Sequence, residues 1–96
     1  GGIRNGAALH WAVCKEKEIV ELLLQHNASP NVQDKYGYTP LHVAAKCGDL
    51  DSVKMLLVHE ANPALENKRN QTAADLARAR NDLVGEEIHG VLDAAR

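Results

Sequence analysis

The sequence predicts an all-α solenoid: helix-turn-helix pairs stacked in a row and linked by β-turn or hairpin-like loops. Three observations lead there. The chain repeats itself at an interval of about 33 residues, the spacing of one supersecondary unit in a repeat array. The clearest unit carries helix start, stripe and stop signals in the right order. The apolar residues are Leu, Val, Ile and Ala, with no Phe and with Trp11, Tyr36 and Tyr38 as the only aromatics, which suits close helix-on-helix packing. A chain of 96 residues makes one domain at most. At that size about 60–65% of the unfolded surface is buried on folding, so the core must be thin.

The repeat is visible in short runs. Residues 27–31 (NASPN) recur as 60–64 (EANPA), and Val20, Leu23 and Leu24 recur as Val53, Leu56 and Leu57, all by a shift of 33. Upstream, residues 8–12 (ALHWA) recur as 40–44 (PLHVA) by a shift of 32, so the first unit lacks one residue where the second has Gly48. A third unit follows, with Thr72, Asp75 and Ala77 in the places of Thr39, His42 and Ala44. Its second half matches once two residues are added, which puts Ile88, Val91 and Leu92 in the places of Val53, Leu56 and Leu57. The expected repeats are about 5–33, 34–66 and 67–95 of a single domain spanning 3–96. Gly1 and Gly2 are set aside as a cloning remnant.

Each element has a local reason. Tyr36-Gly37-Tyr38 supplies the turn into the second unit. Thr39 is a natural N-cap, and Pro40 stands at the first helical position, where no backbone donor is missed. A helix is predicted from Leu41 to about Lys46, stopped by Gly48. Asp49 and Asp51 then open a second helix, where carboxylates suit the positive end of the dipole. Leu50, Val53, Leu56 and Leu57 form its core-facing stripe. His26 and His59 end the second helices of their units, where His can satisfy the last carbonyls.

The run 37–45 (GYTPLHVAA), with its period of 33, resembles the ankyrin repeat signature, and the likeness extends over residues 5 to 95. The first repeat departs from it with Ala7 and Ala8 for Thr-Pro, which removes a cap worth about 1 kcal/mol. The third reads TAADLA at 72–77, similar to the degenerate form of terminal ankyrin repeats. There Arg78 takes the place of the small Ala45, so the third repeat is expected to pack differently from the second. Glu86, Glu87, His89 and Asp93, with Gly90 replacing a Leu, give the last helix a polar face suited to a C-terminal cap. Trp11 and Leu22 to Leu24 make the first repeat look like an interior one. The chain is therefore expected to be the C-terminal part of a longer array or protein.

Chemistry is weakly represented. His10 and Cys14 lie four apart on one helix, but nothing nearby offers an orienting group or an oxyanion donor. Ser29 and Ser52 lack a Gly-x-Ser-x-Gly setting, and there is no glycine-rich phosphate loop. Repeat-equivalent histidines sit on successive units and do not converge on a metal. No catalytic residue, cofactor, metal or small-molecule substrate is expected, and the chain reads as non-enzymatic. Cys14 and Cys47 are too few for a disulfide framework and match no zinc spacing. Reduced thiols in a cytoplasmic or nuclear protein are expected. The glycosylation sequons at 27–29 and 70–72 are read as coincidental, since no secretory signal is visible and Thr72 already serves as an N-cap. No apolar run approaches 18 residues, so no membrane span is expected. The net charge of −2 and a stacking platform of two Tyr disfavour nucleic acid.

The resemblance implies a ligand face made of the turn tips and the exposed side of each first helix. Carried over to this chain, that face holds Arg4, Cys14, Lys15, Gln33, Lys35, Tyr36, Tyr38, Lys46, Cys47, Glu66, Lys68, Arg69, Gln71 and Arg80. Seven of these are basic and one is acidic, while Glu16, Glu18, Glu21, Asp49, Asp51, Glu60, Glu86 and Glu87 put the compensating charge on the second helices. One reading is a merely solvated surface. The other is a basic groove with two Tyr anchors for a protein or peptide partner, an acidic or phosphorylated segment in particular. The expected partner-binding residues are Arg4, Lys15, Lys35, Tyr36, Tyr38, Lys46, Lys68, Arg69, Gln71 and Arg80. The alternative function is a recognition or regulatory region of a larger enzyme whose catalytic domain lies outside this chain.

Overall fold

The computed structural model describes residues 17–26 and 29–95. Among them lie five helices and no strand: α1 (Lys17–Gln25), α2 (Pro40–Cys47), α3 (Leu50–Val58), α4 (Ala73–Ala79) and α5 (Leu83–Ala94). The expected first helix of repeat one, with Arg4 and Lys15, lies outside the described residues.

Local chemistry explains the boundaries. Thr39 is the N-cap of α2: its hydroxyl accepts the His42 N–H, and the His42 ring accepts the Thr39 N–H, closing a capping box. Pro40 begins the helix, and Gly48 ends it at φ 78°, its N–H donating to the Ala44 and Ala45 carbonyls. The helix is one residue longer at each end than the Leu41–Lys46 expected. Asp49 caps α3 by accepting the Ser52 N–H, and Thr72 with Asp75 repeats the capping box on α4. His26 and His59 do end their helices, but through the main chain and not the ring. The His26 N–H donates to the Leu22 and Leu23 carbonyls, and the His59 N–H to those of Met55 and Leu56.

The helices form two layers. The first helices α2 and α4 pack side by side, and the second helices stack in the order α1, α3, α5. The pairs α2–α3 and α4–α5 hold each repeat together. Val20, Leu24, Leu41, Val53, Leu56, Ile88 and Leu92 fill the space between the layers, none more than 4% exposed. Each Leu or Ile removed from water this way contributes about 2 kcal/mol. Ala44, Ala45, Ala73, Ala74 and Ala77 are buried as well, and their small side chains let α2 and α4 approach. Arg78 points outward and is exposed while Ala77 beside it is buried. The Arg78 replacement thus alters the end surface of the described stack and leaves the α4–α5 contact intact.

Candidate functional site

Two turn tips stand side by side and are built alike. In the first, the Asp34 N–H donates to the Tyr38 carbonyl, and Asp34 Oδ1 accepts the N–H groups of Tyr36 and Tyr38, all at 2.9 Å. In the second, 33 residues on, the Asn67 N–H donates to the Gln71 carbonyl and Asn67 Oδ1 accepts from Arg69 and Gln71. The short side-chain acceptor mimics a main-chain turn and fixes both loops. Gly37 at φ 81° and Asn70 at φ 61° are the equivalent left-handed corners.

The tips are tied together by a ladder. The Lys68 N–H donates to the Tyr36 carbonyl at 3.0 Å. Gln33 Nε2 donates to the Gly37 and Glu66 carbonyls at 3.0 and 2.9 Å. His42 Nε2 lies 2.7 Å from the Gln71 carbonyl. A carbonyl only accepts, so Nε2 carries the proton and Nδ1 is left to accept from Thr39. The imidazole therefore closes its own capping box and bonds to the next tip at once.

Between the tips and the end of α2 lies a cleft of about 510 Å³, lined by Asp34, Tyr36, Tyr38, Val43, Lys46, Cys47, Lys68 and Arg69. Tyr36 is 60% exposed. Lys35 Nζ sits 5.2 Å from the centroid of the Tyr36 ring, and Lys46 Nζ sits 5.6 Å from that of Tyr38. Both distances are within reach of a cation–π attraction. Among the described residues, Lys46, Lys68 and Arg69 form no ion pair. Asp34 is the one carboxylate in the lining.

The cleft gathers Tyr36, Tyr38, Lys46, Lys68 and Arg69, with Lys35 beside it. It does not gather the other two described residues of the expected set. Gln71 is half-buried and accepts from Asn67 Nδ2 at 3.0 Å through its side chain. Arg80 donates to the Lys46 carbonyl at 2.8 Å and pairs with Asp82 at 2.8 Å. Its guanidinium lies against Gly48, where it caps α2 from the neighbouring repeat. Asp82 accepts the Gly85 N–H at 2.7 Å. That bond and the Arg80 guanidinium hold its carboxyl below the usual carboxylate range. Asp34 and Val43 also line the cleft and were not among the residues expected. The Asp34–Asn67 equivalence at the repeat period was the one signal for the former. Cys47 is disulfide-bonded, which corrects the expectation of reduced thiols at this position. Among the described residues no cluster of His, Cys, Asp or Glu could hold a metal, and no helix is long and apolar enough to cross a membrane.

Paired helices in two layers, with hydrogen-bonded tips projecting from one edge, define a helical repeat solenoid. Residues 22–77 match the family profile "Ankyrin repeats (many copies)", and residues 7–35 match "Ankyrin repeat". The chain belongs to the ankyrin repeat family. It is 56% identical over 34 residues to the ankyrin repeat protein YahD of Escherichia coli, which covers 35% of this chain and 17% of that protein. It is 46% identical over 43 residues to the mouse RelA-associated inhibitor, covering 44% of this chain and 5% of that protein. Against the Drosophila transient receptor potential channel pyrexia it is 42% identical over 48 residues, 49% of this chain and 5% of the channel. The matches thus span only a small part of these relatives. Ankyrin repeats generally mediate protein–protein interactions and are generally non-catalytic.

Proposed function

We propose that this chain is a non-catalytic interaction module that binds a protein or peptide segment on the face formed by the turn tips and first helices. The segment it selects is acidic. The observation that carries this reading is the cleft itself. Two Tyr and three cations that form no ion pair among the described residues line one opening, and its one carboxylate holds a turn. Tyr and Arg are among the residue types enriched where binding energy concentrates. The relatives do not carry the reading, because each matches over less than half of this chain.

The test is charge reversal at the second tip. Lys68 and Arg69 are exposed, so Lys68→Glu with Arg69→Glu is expected to leave helicity by circular dichroism unchanged. Binding to an acidic peptide should weaken by at least tenfold, and the wild-type affinity should fall with added salt. Unchanged affinity in the double variant would overturn the proposal.

A further inference from the structure

We infer that the cleft between the two tips takes a phosphotyrosine side chain of the partner. This deepens the acidic-segment reading above and rests on it. Lys46 comes from the end of α2 and Lys68 and Arg69 from the second tip, yet all three line the same opening. A single carboxylate brings one charge to such a cluster. A phosphate monoester brings about −1.5 to −2 and three acceptor oxygens, and Arg69 can meet two of those oxygens at once.

The rest of the wall decides between phosphorylated side chains. Tyr36, Tyr38 and Val43 line the same opening as the cations, and a flat ring can pack against the aromatic and aliphatic carbon they contribute. Lys46 Nζ stands over the Tyr38 ring, so a cation is held directly beside an apolar wall. A phosphoserine would reach the cations and bring no ring to pack against Tyr36 and Val43. A glutamate would offer neither ring nor second charge. The cleft, at about 510 Å³, has room for a ligand larger than a lone anion.

The experiment titrates the 96-residue chain with phenyl phosphate, inorganic phosphate and a Glu-Gly peptide in parallel, following amide signals by NMR. Phenyl phosphate is expected to bind at least tenfold more tightly than inorganic phosphate and to move the signals of Tyr36, Tyr38, Lys46 and Arg69. The Tyr36→Ala variant should lose most of that advantage while its weak affinity for inorganic phosphate stays the same. Lys68→Glu with Arg69→Glu should lose both. Equal affinity for the two phosphates would overturn the inference. If the Glu-Gly peptide still moved the same signals, the acidic-segment reading would survive alone; if neither it nor phenyl phosphate did, both would fall.

Discussion

Repeats two and three perform the same local task with different residues. Both first helices begin with a Thr whose hydroxyl accepts the N–H three residues on, and both return a side-chain acceptor to the Thr N–H. In repeat two that acceptor is His42, 1% exposed, with its far nitrogen on the Gln71 carbonyl of the next tip. In repeat three it is Asp75, an exposed residue whose short side chain closes the box and reaches no further. The tips differ in the same way. Gly37 is buried beneath the second tip, so that a Cβ there would meet the Lys68 nitrogen at 2.8 Å and the Asn67 Cα at 2.9 Å. Its equivalent Asn70 is exposed and keeps a side chain at φ 61°. Devices that act within a repeat tolerate substitution by any residue with the right polar atom. Devices that also reach the neighbouring repeat are held to one residue by what stands over them.

Exchanging equivalent residues tests this directly. Gly37→Asn, which installs the residue of the second tip in the first, is expected to cost about 2–4 kcal/mol. It adds a Cβ against backbone that cannot yield, together with left-handed strain. Urea unfolding should show the loss, and the reciprocal Asn70→Gly should fall within about 1 kcal/mol of wild type. A small effect at Gly37 would mean that the tips slide apart freely. His42→Ala should cost about 2–3 kcal/mol, because it removes part of the capping box and takes from the half-buried Gln71 carbonyl one of its two donors, leaving only the Asn67 N–H. Asp75→Ala should cost about 1 kcal/mol, the value of a cap alone. Equal losses by thermal or urea unfolding would refute the forward role given to His42.

The smallest effect is expected at the start of α5, where Asp82 caps the helix and pairs with Arg80. Its carboxyl titrates below the usual range when folded. Its stabilising contribution is therefore full above the unfolded-state value and is lost as pH falls through the folded one. Asp82→Asn keeps a good N-cap. Near neutral pH the variant should resemble wild type, and its stability should fall less steeply in acid. Parallel acid titrations followed by circular dichroism would show whether the slopes differ.

Much of the fold was legible because ankyrin units advertise themselves locally. Thr39, Pro40 and Gly48 marked the ends of α2 to within one residue, and the 33-residue shift carried Thr72 to its place as the cap of α4. Burial followed the stripe at Val53 and Leu56, while Leu50 and Leu57 proved half-buried at its margins. The candidate site was legible in part. Tyr36, Tyr38, Lys46, Lys68 and Arg69 do line one cleft, but Arg80 looked equally available and instead caps α2 across the repeat boundary. A long side chain can reach water or a neighbouring carbonyl, and its position along the chain does not say which. The same limit hid Gln33, whose bonds to the Gly37 and Glu66 carbonyls span the tips.

The sequence by itself determined the repeat period, the caps and the alternation of turn and helix, because those depend on atoms a few residues apart. It also determined that the tips are rich in Tyr and positive charge. Only the tertiary structure decided which charges face the cleft and which ones clasp the stack. That choice depends on distances between successive repeats, where residues about 30 positions apart, such as His42 and Gln71 or Gln33 and Glu66, come within 3 Å. It decided too that Gly37 has no room for a side chain while Asn70 does, since the obstruction is the backbone of the next tip.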